Sequence, residues 1–394
     1  MSDNAQRLDE RLRAELDSLQ ARALYRRRRI VEGPQGAEII IAGKQLLNFS
    51  SNDYLGLAAH PALVEAVCRG LEEYGTGSGA AHLITGHTRA HHALEEELAD
   101  FVQRPRALLF SSGYMANLSI ASALVGRGDS VIEDRLNHAS LLDAGLLSGA
   151  RFSRYPHADA AALTARLQQA SKRKLVMTDG VFSMDGDLAP LPELAAAAEA
   201  AGGVLMVDDA HGFGILGANG RGALEHFSLG LKQVPVLMAT LGKACGAFGA
   251  FVSGSEALIE TLIQRARTYI YTTAPPAAWA EAARAALKLV RTETWRREKL
   301  CALIARFCAG AAQLNLPLLP SQTAIQPLMI GAADVALEVS EALATRGILA
   351  AAIRPPTVPA GSARLRLTLT AAHNETHVDQ LLDALTQTMK PTDR

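Results

Sequence analysis

One lysine of this sequence lies where covalent chemistry with a carbonyl group is possible. Lys243 lies in the segment Thr240–Gly246, whose residues are mostly small, and it follows the apolar run Val234–Ala239. A buried approach and small neighbours can partly desolvate an amine, which lowers its pKa toward neutrality. Such an amine can form a Schiff base. Most lysines are solvated surface charges, so this interpretation depends on the chemical partners found elsewhere in the chain.

A second apolar run stops abruptly at carboxylates and an imidazole. Val204–Val207 is followed by Asp208, Asp209 and His211, which is typical of a buried strand with chemistry at its carboxyl end. A carboxylate at this place could keep the pyridinium nitrogen of pyridoxal phosphate protonated, so that the ring accepts electrons from a substrate carbanion. We expect Asp208 to take this role, with His211 at the same ring. The same residues could bind a divalent metal, but no further ligand motif accompanies them, so we predict no metal site.

A third apolar run, Ala107–Phe110, turns through Gly113 into a stretch with helical character. Free backbone N–H groups at a helix start attract a phosphate, and a glycine lets the chain approach it closely. Tyr114 or Ser112 could add a hydroxyl donor. Further along the chain, His138 is a candidate for stacking on a cofactor ring, although a histidine at a helix start is often only structural.

Composition excludes several classes of protein. The 394 residues are 49% hydrophobic, which allows a large core, and the formal net charge of −1 gives no bias toward nucleic acid or membrane. The four cysteines follow no metal-ligand or disulfide spacing. The N-terminal segment is charged and lacks an apolar signal region, and no apolar run approaches membrane-spanning length. We therefore expect a cytoplasmic protein without nucleic-acid or membrane partners.

The order of apolar and polar segments predicts an α/β fold in three parts. Residues 1–44 form an N-terminal segment with an amphipathic helix within residues 9–29, whose leucines recur at helical spacing. Residues 45–285 alternate short apolar strands with Ala-rich helical stretches, which predicts a large domain with a mostly parallel sheet covered by helices on both faces. Residues 286–394 form a smaller α+β domain, reached through a helical segment at about 277–313.

Several segments resemble one known family, the α-oxoamine synthases, which are pyridoxal phosphate enzymes of fold type I. The resemblance covers nearly the whole chain, and its clearest segments are Asn48–Leu57, Thr178–Gly186, Asp208–His211 and Arg364–His373. It implies the fold type I transferase fold and pyridoxal 5'-phosphate as the cofactor. At position 179 this chain has an aspartate, whereas the most similar branch has a glutamate. The carboxylate is kept, but its side chain is shorter.

The resemblance also implies a set of site residues. Thr272 and Thr273 resemble a loop that reaches the phosphate of a neighbouring subunit, which implies a homodimer with shared active sites. Catalysis is expected from Lys243, His138, Asp208 and His211. The expected cofactor contacts are Gly113, Tyr114, His138, Ser183, Asp208, His211, Thr240, Lys243, Thr272 and Thr273, and the expected substrate contacts are Arg26, Asn52, His138 and Arg354.

The segment Ala352–Pro359 favours the biotin-biosynthetic branch of the family. That branch implies a decarboxylating condensation of L-alanine with a pimeloyl thioester, in which Arg354 could hold the amino acid carboxylate and Arg26 the distal carboxylate of the acyl chain. Two alternatives stay open. One is another α-oxoamine synthase, such as a glycine C-acetyltransferase, and the other is a non-catalytic scaffold subunit. The sequence does not distinguish a CoA thioester from an acyl-carrier-protein thioester.

Four histidines, at positions 82, 87, 91 and 92, form a local cluster. Their spacing contains no His-Glu-x-x-His pattern, which is the arrangement typical of zinc sites on a helix. Residues Glu95 to Glu97 are predicted to form a solvated helix face. We therefore predict a structural role for the cluster.

Overall fold

The computed structural model describes residues 3–170 and 172–389. These residues divide into two compact units. The larger unit comprises Asn52–Ser183 and Asp187–Lys299, and the smaller unit comprises residues 3–51, 184–186 and 300–389.

The strands are short and mostly buried. In chain order they are β1 Glu38–Ile41, β2 Lys44–Asn48, β3 Arg106–Phe110, β4 Ser130–Asp134, β5 Arg151–Tyr155, β6 Lys174–Asp179, β7 Val204–Asp208, β8 Val236–Thr240, β9 Ala250–Gly254, β10 Ile325–Gly331, β11 Ile348–Leu349, β12 Ala351–Ile353 and β13 Ala363–Thr368.

The helices alternate with these strands through most of the chain. They are α1 Asp3–Ala21, α2 Pro61–Tyr74, α3 Arg89–Phe101, α4 Gly113–Leu124, α5 Ala139–Leu147, α6 Ala160–Gln169, α7 Leu191–Ala200, α8 Ala223–His226, α9 Glu256–Arg265, α10 Arg267–Ile270, α11 Ala277–Thr292, α12 Trp295–Gln313, α13 Ala333–Thr345 and α14 Glu375–Met389. A short π-helical turn at His82–Gly86 precedes α3.

A seven-stranded sheet organises the larger unit, with the strand order β3-β9-β8-β7-β6-β4-β5. All neighbouring strands pair in parallel except β9, which is antiparallel to both β3 and β8. Strands of this sheet carry near-continuous apolar sequence because both of its faces are covered. The predicted α/β architecture with a mostly parallel sheet is therefore confirmed.

Two apolar cores lie on opposite faces of this sheet. On β7, Met206 contributes to the core that also contains Ile120 and Leu141 of α4 and α5. Its neighbours Leu205 and Val207 point to the opposite face and join the core that contains residues of α6 and α7. Each fully buried side chain of this size contributes about 1.5–3 kcal/mol, so the sheet is a stable platform for the loops at its edge.

The smaller unit contains two three-stranded sheets, ordered β1-β2-β11 and β10-β13-β12. An ion pair joins Arg364 of β13 to Asp185. The N-terminal helix was predicted within residues 9–29, but it spans Asp3–Ala21 and is followed by Ala23 in the left-handed region, at a φ of 57°. No helix among residues 3–170 and 172–389 is long and apolar enough to cross a membrane.

The helical segment expected at about 277–313 is two helices. Helix α11 ends at Thr292, and Glu293 leaves helical geometry with a φ of −105° and a ψ of 60° before α12 begins at Trp295. Helical composition continues across this break, which is why the sequence alone predicted one segment.

Candidate active site

Polar side chains gather where the parallel strands β6, β7 and β8 end. Asp179 closes β6 and pairs in register with Asp208, which closes β7. Thr240 closes β8, three residues before Lys243. Since the carboxyl ends of parallel strands lie along one edge of a sheet, these residues share the edge at which α/β proteins bind their ligands.

Asp208 is buried and its carboxylate is oriented by two donors. Asn117 Nδ2 donates to Oδ2 over 2.8 Å, and the backbone N–H of Ala210 donates to Oδ1 over 3.0 Å. Asn117 lies on α4 and also donates to the hydroxyl of Ser140 over 2.8 Å. Both carboxylate oxygens therefore have a fixed direction, and a buried carboxylate held in this way suits a partner that carries a positive charge.

Asn117 is a site residue that the sequence analysis did not identify. Its side chain is 1% exposed, and its Oδ1 atom is buried without a hydrogen bond to any described residue. A buried amide oxygen without a partner costs free energy, so its orientation is held by the two donations of its Nδ2. The only sequence signal was its position four residues after Gly113, in the stretch that was predicted to have helical character.

A chain of hydrogen bonds orients the amine of Lys243. Its Nζ lies 2.8 Å from Nε2 of His211, and Nδ1 of His211 lies 2.6 Å from the hydroxyl of Tyr54. The Tyr54 hydroxyl also donates to Asn52 Oδ1 over 3.2 Å. Tyr54 is 1% exposed and His211 is 7% exposed. The imidazole is thus held on both of its nitrogens, and it in turn positions the amine.

Tyr54 is the second site residue that the sequence analysis missed. It lies in the segment Asn48–Leu57 that was used for the family resemblance, next to the predicted Asn52. Its aromatic ring alone indicated a core position. The role of its hydroxyl became visible only through the contact with His211, which lies 157 positions away in the sequence.

A close backbone approach fixes the loop that carries the lysine. Gly246 has a φ of 60°, and a Cβ atom added there would lie 2.3 Å from the backbone nitrogen of Ala58. Asp53 accepts the backbone N–H groups of Leu57 and Ala58 over 2.8 and 3.1 Å. The segment after Asn52 and the lysine loop are therefore packed against each other at a point where only glycine fits.

His138 stands at the start of α5 with its side chain exposed. Its Nδ1 accepts the backbone N–H of Ser140 over 3.2 Å and lies 2.7 Å from the hydroxyl of that serine. Its backbone N–H donates to Asp179 Oδ2 over 2.6 Å. A neutral ring in this arrangement carries its hydrogen on Nε2.

Asp179 is buried beneath this turn, and desolvation, followed by the neighbouring charge of Asp208, raises its pKa well above the ordinary value. Its carboxylate bonds the backbone of His138, so it holds the turn from which the imidazole projects. The short aspartate side chain is sufficient for that contact. Ser183 lies partly buried four residues after Asp179.

The phosphate contact predicted around Gly113 falls at the start of α4. Ser112 is the N-cap, and its hydroxyl accepts the N–H of Met115 over 3.3 Å. Gly113 is the first helical residue. Tyr114 is 42% exposed, and its hydroxyl donates to Asp143. The helix therefore presents backbone N–H groups at its start, as anion binding requires.

The three threonines expected at a phosphate lie in two places. Thr240 donates its hydroxyl proton to the carbonyl of Gly249 over 3.0 Å and accepts the N–H of Gly242 over 3.2 Å. Thr272 and Thr273 follow α10, and Thr273 forms an isolated bridge with Ala81. Thr240 is thus already engaged within the lysine loop.

Both predicted arginines belong to the smaller unit, whereas Lys243 and Asp208 belong to the larger one. Arg26 donates to the hydroxyl of Thr357 over 3.3 Å, and Arg354 donates to the carbonyl of Ala23. Desolvation, followed by the charge of Arg26, lowers the pKa of Arg354. Arg354 lines a cavity of about 780 Å³ together with Arg27, Arg28 and Arg29. The carboxylates of Glu32 and Glu341 line the same cavity, and the excess of guanidinium groups over carboxylates suits an anionic ligand.

Comparison with known proteins identifies the family. The aminotransferase class I and II family model matches residues 44–385. An 8-amino-7-oxononanoate synthase from Nitrosococcus oceani is 64% identical over 376 residues, which cover 95% of this chain and 100% of that protein.

Two solved structures show the same fold. A serine palmitoyltransferase from S. paucimobilis, solved with a bound PLP–myriocin aldimine, superposes with a TM-score of 0.90 at 30% identity and covers 96% of both chains. An 8-amino-7-oxononanoate synthase from Francisella tularensis superposes with a TM-score of 0.77 at 34% identity, over 87% of this chain and 97% of that one. The chain thus has the fold type I architecture and belongs to the aminotransferase class I and II family, in the branch of the 8-amino-7-oxononanoate synthases.

Proposed function

We propose that this protein condenses L-alanine with a pimeloyl thioester to give 8-amino-7-oxononanoate, carbon dioxide and the free thiol carrier. The observation that carries this proposal is the 64% identity to a curated 8-amino-7-oxononanoate synthase over 95% of the chain. The carbon balance is complete, because three carbons of alanine and seven of the acyl group lose one as carbon dioxide and leave nine. The reaction makes this protein a pyridoxal phosphate-dependent C-acyltransferase.

The residues at the sheet edge fit pyridoxal 5'-phosphate. Asp208 is a buried carboxylate oriented by two hydrogen bonds, which suits a protonated ring nitrogen. Lys243 supplies an amine for the aldehyde, and the start of α4 at Gly113 supplies N–H groups for the phosphate. When bound, the cofactor supplies a carbonyl that takes up amino groups and a ring that accepts the electron pair released at the substrate α-carbon.

Each catalytic residue has a distinct role in this proposal. The free amine of Lys243 would act as the general base that removes the α-proton of alanine. His211 holds this amine at 2.8 Å and is itself fixed by Tyr54. Asp208 keeps a positive charge on the ring nitrogen and so stabilises the developing negative charge. His138 projects over the site from the start of α5 and contacts both ring and substrate.

The substrate contacts in this proposal involve two arginines and Asn52. Arg354 binds the carboxylate of alanine with Asn52 as a second contact, and Arg26 binds the distal carboxylate of the pimeloyl chain. Guanidinium groups bind carboxylates through two parallel hydrogen bonds. Both arginines belong to the smaller unit, where desolvation, followed by the charge of Arg26, lowers the pKa of Arg354. Binding of anionic groups relieves this repulsion.

The remaining cofactor contacts are Ser183, Tyr114, Thr240, Thr272 and Thr273. We propose that Thr272 and Thr273 reach the phosphate held by a second copy of the chain, so that the active unit is a cytoplasmic homodimer with shared active sites. This arrangement is tested by mixing the variant Lys243→Ala with a variant in which both Thr272 and Thr273 are replaced. Hybrid dimers then contain one intact site and regain activity, whereas independent sites would leave the mixture inactive.

The first experiment is a visible absorption spectrum of the purified protein, with and without L-alanine and then pimeloyl-CoA. We expect a band of the lysine-bound cofactor that shifts with alanine, and loss of this band and of turnover in Lys243→Ala. Absence of the band after addition of pyridoxal phosphate would overturn the enzyme assignment and favour a scaffold subunit. Faster turnover of glycine with acetyl-CoA, or of serine with palmitoyl-CoA, would overturn only the substrate assignment.

A further inference from the structure

The histidine cluster that precedes and begins α3 is more organised than the sequence analysis predicted. His82 and His91 are buried, and His92 is exposed. Glu95 was expected on a solvated helix face, but its side chain is only 11% exposed. Its Oε1 accepts the backbone N–H of Leu109 in β3 over 2.9 Å. The expectation of a solvated face is therefore wrong for Glu95.

Two of the four histidines have structural roles. His91 accepts the N–H of Thr88 on Nδ1 over 3.1 Å and contacts the carbonyl of Pro275 with Nε2 at 2.8 Å, so both of its nitrogens are engaged. His82 stacks on Tyr269 with ring centroids 4.8 Å apart. These contacts tie the start of α3 and the preceding turn to their surroundings, and they account for the burial of His82 and His91.

The other two histidines and Glu95 bring their ligand atoms close to one another. Ligand atoms of His87, His92 and Glu95 all lie within 4.8 Å of one another. Three atoms at such separations lie within about 2.8 Å of a common point, which is 4.8 Å divided by √3. Bonds from zinc to histidine nitrogen or carboxylate oxygen are about 2.0–2.2 Å long. An inward shift of each ligand atom by less than about 1 Å would therefore bring all three atoms to bonding distance from a bound ion.

The chemistry of this group suits a metal. His92 and Glu95 are three positions apart on α3, which puts them on one face of the helix. His87 Nδ1 lies 3.0 Å from His82 Nδ1, and His87 Nε2 lies 3.9 Å from Glu95 Oε2. When His87 Nδ1–H donates to His82, its Nε2 presents a lone pair toward Glu95. A histidine held by an outer partner in this way is the usual form of a metal ligand.

We propose that His87, His92 and Glu95 form a binding site for Zn²⁺ or a similar borderline divalent cation, with water in the remaining position. Two imidazoles and one carboxylate are a ligand set that such ions prefer over Ca²⁺ or Mg²⁺. Because Glu95 also holds the N–H of Leu109, the ion would tie the turn before α3 to strand β3. The site belongs to neither the cofactor nor the substrate residues, so its role is to stabilise this part of the larger unit.

Calorimetric titration of the cofactor-loaded protein with Zn²⁺ tests the proposal. We expect one Zn²⁺ per chain at this site in the wild type, and a loss of affinity of at least about 100-fold in His92→Ala, because removal of an outer partner alone costs about 10–100-fold. Glu95→Gln keeps an oxygen that can accept from Leu109 but removes the charge, so we expect the same loss. His226→Ala is the matched control, since His226 is another exposed histidine, at the end of α8.

A second readout separates this site from other zinc binding. Saturating Zn²⁺ should raise the apparent melting temperature of wild type and His226→Ala, and not that of His92→Ala or Glu95→Gln. An anomalous signal at the zinc edge between His87 and His92 in crystals would give the same answer directly. The proposal is overturned if wild type binds no Zn²⁺, or if His92→Ala and Glu95→Gln keep the affinity of wild type.

Discussion

Replacement of Tyr54 by phenylalanine should slow turnover without changing the shape of the core. The substitution removes one hydroxyl that lies 2.6 Å from His211 Nδ1 and 3.2 Å from Asn52 Oδ1. His211 then loses the contact that fixes its ring, while its other nitrogen still faces Lys243 at 2.8 Å. Because Tyr54 is 1% exposed, water cannot replace the hydroxyl without a local rearrangement.

The size of the effect follows from the burial of these groups. Loss of a hydrogen bond to a buried polar group costs about 1–3 kcal/mol. If this cost is expressed in the transition state, at about 1.4 kcal/mol per factor of ten, kcat/KM falls by about 5- to 140-fold. We expect most of the loss in kcat, because Tyr54 holds His211 and His211 positions the amine of Lys243.

The assay is release of free CoA from pimeloyl-CoA at saturating L-alanine, measured across a range of pH. A positioning role also predicts a shifted pH profile, because the imidazole that orients the lysine amine is no longer fixed. Tyr155→Phe is the control. Tyr155 is equally buried, at 1% exposure, and its hydroxyl lies beside Thr178 and not in the hydrogen-bond chain of His211. If Tyr54→Phe keeps the kcat/KM and the pH profile of Tyr155→Phe, the reasoning about this hydrogen-bond chain is wrong.

Three further predictions test other parts of the structure. Gly246→Ala places a Cβ 2.3 Å from the nitrogen of Ala58 at a φ of 60°, so we expect a loss of at least about 1–3 kcal/mol in denaturant unfolding and weaker cofactor retention. Asp208→Asn removes the buried charge and should lower kcat by at least about 100-fold, measured by CoA release, while the fold stays intact by circular dichroism. Desolvation lowers the pKa of His157, but the hydrogen bonds to Asp134 and Asp187 outweigh it and raise this pKa to about 10. The protonated imidazole therefore contributes its full stabilisation below about pH 6.5, and this contribution is lost as the pH rises toward 10. The unfolding free energy of wild type relative to His157→Gln should accordingly fall by up to about 1.4 kcal/mol per pH unit over that range, and a constant difference would contradict the assignment.

The order of elements and the positions of the main polar residues could be predicted from sequence. Val204–Val207 is an apolar run that ends at Asp208, and such a run is typical of a buried strand with its polar end at the sheet edge. The same argument applies to β8 and Lys243, and parallel strands place both ends at one edge. Local pattern was sufficient there because a continuous apolar run itself indicates a strand that is covered on both faces.

Contacts between distant residues were decided by the tertiary structure. Asn117 reaches Asp208 across 91 positions, and Tyr54 reaches His211 across 157. Neither residue type distinguishes such a contact from an ordinary core position, because each pairing depends on how a helix or a loop packs on the sheet. Glu95 is the clearest case. Its charge indicated solvent exposure, yet the packing of α3 on β3 buried it beside two imidazoles, and only that packing created a candidate metal site.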